Sequence, residues 1–239
     1  MLNAWWVPPR GQEPEDIDHP DTPEEVLRDA MRGVRNLNRV LGYHRYLLGH
    51  LSRRLPRGFS GALNVLDVAT GLADLPVALT RWGRRRGLSV QAVGLDLNPR
   101  ILAMAAEETR DFPEIDLVEG DALAMPFPEG AFDVVTSHLA LHHFPEDRIV
   151  PLLREMDRVL RPGGIMLIGD LVRTRPNQVL VEAACAVFGS PATLKDGRTS
   201  IRNAYSRDEL AGFMRESGLS YLDFARPGYP TQVLLAGKK

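Results

Sequence analysis

One cysteine, Cys185, occurs in 239 residues, so no disulfide can close within the chain, which fits a reducing compartment. Cys185 lies in the apolar run "VLVEAACAVF" and reads as a small buried hydrophobe. Lysine is almost missing, found only at 195, 238 and 239, so the positive charge is arginine. Neither sign dominates: the formal net charge is −2, which argues against a dedicated nucleic-acid or anionic-membrane binder. No run approaches 18 apolar residues, so no membrane span is expected. The acidic, Pro-rich opening "MLNAWWVPPRGQEPEDIDHPD" lacks the basic start and apolar stretch of a secretory signal. Internal repeats and low-complexity segments are absent too. What is there is an ordinary globular balance, 44% hydrophobic and 25% charged, and the expected location is the cytoplasm.

Residues 1–20 read as a flexible arm. "DTPEEVLRDAMRGVRNLNRVLG" then has Val26, Leu27, Ala30, Met31, Val34, Leu37, Val40 and Leu41 at helical spacing, with Gly42 as a stop. "YHRYLLGHLSRRL" gives a second, shorter helix. From residue 62 the pattern alternates, with strands expected at 63–68, 90–95, 115–118, 132–137 and 164–171 and helices at 74–86, 99–110 and 146–160. That alternation predicts a parallel sheet with helices on both faces. "PNQVLVEAACAVFG" predicts an apolar helix, and Ser206 with Glu209 a capping box for another. "SYLDFA" and "TQVLLAG" close the chain as an antiparallel hairpin at the sheet edge. The expected fold is α/β: a Rossmann-like, seven-stranded, mostly parallel sheet with an N-terminal helical extension. Its parts are an arm and helical cap over 1–60 and a main domain over 61–239, with a lid-like insertion at about 174–206.

The stretch "LNVLDVATGLADLPVAL" is a strand, a tight turn and a helix. Ligands of open parallel sheets bind beyond the carboxyl ends of the strands. Of the three glycines such a turn usually carries, only Gly71 remains, with Ala69 and Ala73 at the other two places. Left-handed alanine costs roughly 1–2 kcal/mol, so both alanines are expected at negative φ and Gly71 at the one position that tolerates no Cβ. The second strand ends in Asp96, placed to accept two ribose hydroxyls. The third leads to Asp121, placed to accept from an exocyclic adenine amine. "RVLRPGGIMLI" turns into the fifth strand.

"VLDVATGLADLP", "GLDLNPRIL", "GDALAMPFPEGAFDVV" and "LRPGGIMLI", in that order over Leu63 to Leu171, resemble class I S-adenosylmethionine-dependent methyltransferases. "TGLADL" and the Asp121 stretch are most similar to the ubiquinone/menaquinone biosynthesis branch. The resemblance implies S-adenosyl-L-methionine as cofactor. It places Asp67, Ala69, Thr70, Gly71 and Ala73 around the cofactor, Asp74 on its ammonium group, Asp96 with Leu97 at the ribose, Asp121 with Ala122 at the adenine, and His138 nearby. The acceptor is then a small, largely apolar molecule: a phenol, quinol or phenolic polyketide.

"SHLALHHF" follows the fourth strand at the mouth of the site. His138, His142 and His143 are the candidate general bases, since neutral imidazole near pH 7 suits that task. Val179, Leu180, Val187 and Phe188 are expected to form an apolar lid, with His143, Arg202 and Tyr205 as polar contacts to the acceptor. No metal ligand set is assigned, and the oligomeric state is expected to be a monomer or homodimer. Two other readings compete. An RNA methyltransferase is opposed by the net charge, by the missing Asn/Asp-Pro-Pro-aromatic motif and by the surroundings of Cys185. A non-catalytic scaffold with a decayed turn is favoured only by Ala69 and Ala73.

Overall fold

The structure, a computed structural model, describes residues 6–225 and 231–239. Seven strands form one sheet in the order β3-β2-β1-β4-β5-β7-β6. They are β1 Ala62–Val68, β2 Ser89–Asp96, β3 Ile115–Glu119, β4 Phe132–His138, β5 Leu160–Leu171, β6 Asp223–Phe224 and β7 Gln232–Lys238. The first five run parallel, and β7 is antiparallel to both β5 and β6. The order reverses beside β1, between its neighbours β2 and β4, which is the crevice where such sheets take ligands. The hairpin expected at the edge is present. It is shorter than expected in its first arm, because only Asp223 and Phe224 find strand partners.

Period-two alternation sorts the strands' side chains. Leu66, Val68, Val135, Met166 and Ile168 face α5 (Glu146–Val159) and α8 (Arg207–Ser217) in one core. Leu63, Val65, Val134, Ile165 and Leu167 face α2 (Tyr43–Arg54) and α3 (Asp74–Arg84) in the other. The expected helices fall within two residues of their places: α1 at Glu24–Leu41, α4 at Pro99–Thr109, α6 at Arg175–Phe188. One helix was not read from the sequence, α7 at Pro191–Asn203. Its buried side is Thr193, Asp196, Ser200, Ile201 and Asn203, mostly polar, so no apolar stripe announces it.

The N-terminal segment is not a free arm. From Trp6 to the 3₁₀ turn Asp16–Asp18 it lies as a strap along α7. Gly11 N donates to Arg202 O at 2.9 Å, Asp16 N to Asp196 Oδ1 at 2.9 Å, and Asn203 Nδ2 to Glu13 O at 2.7 Å. The Arg10 guanidinium stacks 4.1 Å from the Tyr205 ring centroid and donates to Asn203 O. Buried Arg173 donates to Pro8 O, Ala204 O and Glu209, tying strap, α7 and α8 together. Sequence patterning missed this because the strap's partners are backbone carbonyls and polar side chains rather than a hydrophobic face.

Candidate active site

The β1–α3 turn contradicts the expected backbone. Ala69, Gly71 and Ala73 all have φ of 56°. Both alanines therefore sit in the left-handed region, at a cost of roughly 1–2 kcal/mol each, where negative φ was expected. The path is imposed from outside: Thr70 N donates to Leu95 O at 2.9 Å, Gly71 N to Asp96 Oδ2 at 2.9 Å, and Ala73 N to Thr70 O at 3.0 Å. These bonds hold the turn in its glycine-type shape even with methyl groups on it. A Cβ on Gly71 would stand 3.1 Å from Met31 Cε of α1.

The turn opens on a cavity of about 1880 Å³ that reaches from Asp96 and Asp121 to the strap and α6. Asp96 Oδ2 holds the Gly71 amide and Oδ1 accepts from Asn98 N at 3.0 Å; burial raises its pKa. Asp121 Oδ1 accepts from Leu123 N at 2.8 Å and also faces the cavity, as do Leu97 and Ala122. Asp67 lies behind the turn, its oxygens held by Thr136 Oγ1 at 2.7 Å and Thr70 Oγ1 at 2.8 Å, and burial pushes its carboxyl up to about 7. Ala73 is fully buried and does not line the cavity.

Asp74 opens α3 and meets two partners from the helical cap that sequence reasoning did not find. Asn38 Nδ2 donates to its Oδ2 at 3.1 Å, and His44 Nε2 lies 3.1 Å from the same oxygen. Burial works against both charges, yet each stabilises the other: Asp74 stays below the usual carboxylate range and His44 above the usual imidazole one. Asn38 Oδ1, buried and on the cavity wall, has no hydrogen-bond partner among the described residues. No local signal in "RNLNRVLGYHR" marks Asn38 or His44, because their target is 30 or more residues away.

The three histidines share the cavity but differ in environment. His138 is half-buried against Tyr43 and His44 and contacts Gln232 Oε1 at 3.3 Å. Burial, with His44 beside it, lowers its pKa to about 4. Gly169 makes room for it, since a Cβ there would stand 2.8 Å from His138 Cδ2. His142 Nδ1 contacts Asp170 Oδ1 at 2.7 Å and its Nε2 lies 3.4 Å from Glu15 Oε1. Burial opposes its charge, but the two carboxylates push it up to about 10. The expectation of a neutral imidazole at position 142 is thus corrected: flanking carboxylates hold it as imidazolium. His143 packs on the His142 ring, meets Asp18 at 3.1 Å and also has a raised pKa, burial being outweighed by Glu15 and Asp18. Asp170, a lone acid in the apolar run "IMLIGDLV", was the legible signal for this cluster; Glu15 and Asp18, read as part of an arm, gave none.

Two expected acceptor contacts lie elsewhere. Tyr205 is 2% exposed, donates its hydroxyl to Phe144 O at 2.7 Å and packs on Phe213, outside the cavity lining. Arg202 is exposed on the outer side of α7. α7 turns Arg202 outward, and Tyr205, just past the end of that helix, is fixed in the core. Of the expected apolar lid, Leu180 alone reaches the cavity wall, whereas Val179, Val187 and Phe188 face solvent; Val181, Ala184 and Cys185 line the wall instead.

Residues 66–168 match a family model described as a methyltransferase domain. Demethylmenaquinone methyltransferase from Staphylococcus carnosus is 30% identical over 141 residues, 59% of this chain and 56% of that protein. The Lysinibacillus sphaericus protein of the same name is 30% identical over 139 residues, 58% of this chain and 55% of that one. The match thus spans little more than half the length of these relatives. A SAM-dependent methyltransferase structure from Aquifex aeolicus superposes with a TM-score of 0.57 at 17% identity, over 80% of this chain and 88% of that one. The CMeT domain of the citrinin polyketide synthase gives 0.60 at 16%, over 80% and 49%. These structures share the fold.

Proposed function

We propose that residues 66–168, which match a methyltransferase-domain family model, belong to a class I, S-adenosylmethionine-dependent enzyme, and that this chain methylates a small, largely apolar acceptor. A phenol, quinol or phenolic polyketide is the acceptor class. The observation that carries this reading is a single cavity that brings the Gly71 turn, Asp96 and Asp121 together with His138, His142 and His143. Its volume of about 1880 Å³ exceeds the roughly 300–1,000 Å³ of ordinary small-molecule pockets, which leaves room for two ligands at once.

The residues present fit the cofactor. Asn38 Oδ1 is a buried acceptor without a partner among the described residues, beside the charged Asp74, and together they suit an ammonium group. Asp96 offers its free lone pairs to the ribose hydroxyls, and Asp121 its second oxygen to the adenine amine. Thr70 and Leu97 flank them on the same wall. A bare backbone at Gly71 lets the ligand approach the turn. S-adenosyl-L-methionine supplies a sulfonium methyl that needs no further activation. The protein's task is then alignment: α1, α2 and the strap cover the cavity, exclude water and hold the acceptor in line, an effect worth about 7–11 kcal/mol. Glu15, His142 and His143 line the same cavity and orient the acceptor's oxygen. On this reading the segment 1–60 is a cap on a catalytic domain of residues 61–239, the insertion at about 174–206 completes its roof, and the protein works in the cytoplasm as a monomer or homodimer.

Calorimetry with S-adenosylhomocysteine and with NAD tests the cofactor, and incubation with S-adenosylmethionine and a panel of phenols and quinols, read as the mass of one added methyl, tests the reaction. Binding of S-adenosylhomocysteine but not NAD, with at least one methylated product, is expected. Binding of NAD alone overturns the reading.

A further inference from the structure

We infer that Glu15, His142 and His143 form a site for one divalent transition-metal ion of the Zn²⁺ type, closed by the N-terminal strap. One ligand atom from each of the three lies within 4.8 Å of the others. The closest approach is informative. Glu15 Oε1 and His142 Nε2 are 3.4 Å apart, longer than the usual hydrogen bond of about 2.9 Å. Two ligands of a tetrahedral ion with bonds of about 2.0–2.1 Å stand about 3.4 Å from each other. The pair is therefore spaced as one edge of a coordination tetrahedron.

The surroundings are those of a ligand set. His142 has its Nδ1 on Asp170 Oδ1 at 2.7 Å, while the other oxygen of Asp170 accepts the His142 backbone N–H at 3.0 Å. A carboxylate behind the ring keeps a proton on Nδ1 and aims Nε2, the arrangement metal-ligating histidines use, and a bound metal ion takes the place of the Nε2 proton that the imidazolium carries without it. Glu15 is itself held, its Oε1 accepting from Ser200 Oγ at 2.7 Å. Glu15 and His142 are each 3% exposed, so neither side chain is on a solvated face. Glu15 and Asp170, each 3% exposed, flank the His142 ring, and a bound dication in place of its second proton offsets their buried negative charge. The Arg10 guanidinium donates to the carbonyls of His142 and Phe144.

Two imidazoles and a carboxylate are the donors of open zinc and iron(II) sites, which keep a coordination position free. All three residues line the cavity, so that position faces the acceptor's oxygen; this last step rests on the methyl-transfer reading, the metal site does not. The fold joins ligands more than 120 residues apart, from strap and β4–α5 loop, so no sequence spacing announces the site.

The test uses the full chain, stripped with chelator and titrated with Co²⁺ by visible absorption and with Zn²⁺ by calorimetry. One equivalent of Co²⁺ with the intense bands of a four- or five-coordinate ion, displaced by Zn²⁺, is expected. Glu15→Gln, which keeps the size and the Ser200 contact, weakens binding by about tenfold or more, and Asp170→Asn by roughly ten- to a hundredfold. His19→Gln, an exposed histidine of the same strap, binds like the parent. Circular dichroism melts verify that each variant is folded. No Co²⁺ binding by the folded parent, or equal binding by the parent and folded Glu15→Gln, overturns the site, whatever the methyl-transfer assay gives.

Discussion

Alanine in the left-handed region separates three neighbouring positions that look alike in sequence. Ala69→Gly relieves about 1–2 kcal/mol of backbone strain and gives back roughly 0.5–1 kcal/mol in unfolded-chain entropy, so it stabilises modestly. Ala73→Gly gains the same relief but loses a fully buried methyl, worth about 0.8 kcal/mol, and is close to neutral. Gly71→Ala takes on the strain, presses a methyl toward Met31 and obstructs the ligand; it loses about 1–2 kcal/mol and most of its S-adenosylhomocysteine affinity. Urea midpoints and calorimetry on the three variants check this ordering. Asp96→Ala removes the acceptor of the Gly71 amide as well as that of the ribose, so affinity falls by at least roughly tenfold, a charged hydrogen bond being worth about 1.5–3 kcal/mol. Asp96→Asn falls less, because one oxygen remains. Unchanged affinity in Asp96→Ala would show that another group holds the ribose.

Helix α1 is positioned by a close contact rather than by its apolar stripe alone. At Gly33 it touches α7, where an added Cβ would collide with Thr193 Oγ1 and stand 2.9 Å from Thr193 Cβ. Gly33→Ala therefore pushes α1 from α7 and shifts Met31, Asn38 and the strap seated on α7. The expected cost is about 1–3 kcal/mol of overpacking, together with weaker S-adenosylhomocysteine binding through Asn38. Gly33→Ala with Thr193→Ala, which removes both the hydroxyl and the methyl from the collision, recovers part of both. Thermal melts and calorimetry read the pair; a single variant as stable and as tightly binding as the parent would mean that α1 is free to move. The pairing also explains why α7 was missed: it is held by polar side chains and close backbone approach, which leave little hydrophobic periodicity to read.

At the scale of the whole molecule, Asp67 ties stability to pH. It lies under the turn between Thr70 and Thr136, facing Asp74 of α3 and His44 of α2, and burial raises its carboxyl to about 7. A carboxyl with a raised folded pKa binds its proton more tightly in the native state. Its stability contribution is full below the unfolded value of 3.8 and is lost as pH rises through about 7. Asp67→Asn carries no such proton, so the parent loses stability relative to this variant between acid and neutral pH, by an amount on the order of a few kcal/mol. Denaturant unfolding of both proteins across that range reads the difference. Parallel curves would mean that Asp67 stays ionised in the fold.

The sequence by itself determined the sheet and the helices that alternate with its strands, and it marked two acids at strand ends that the fold brings to the cavity. Alternating strands and 3.6-period helices are local patterns that the burial of one face enforces, and Asp96 and Asp121 were legible because strand ends are. The φ of Ala69 and Ala73 was not, since it is set by bonds from Leu95 and Asp96 on the neighbouring strand. Tertiary structure alone turned Tyr205 into a core residue, laid the supposed arm along α7, and gave Asp74 its partners Asn38 and His44. It also decided the charge of His142, which depends on Asp170 28 residues away and on Glu15 still farther. Local patterning records which face of an element is buried. It carries no record of which distant polar group meets that face, and the strength of a buried charge is fixed by that meeting.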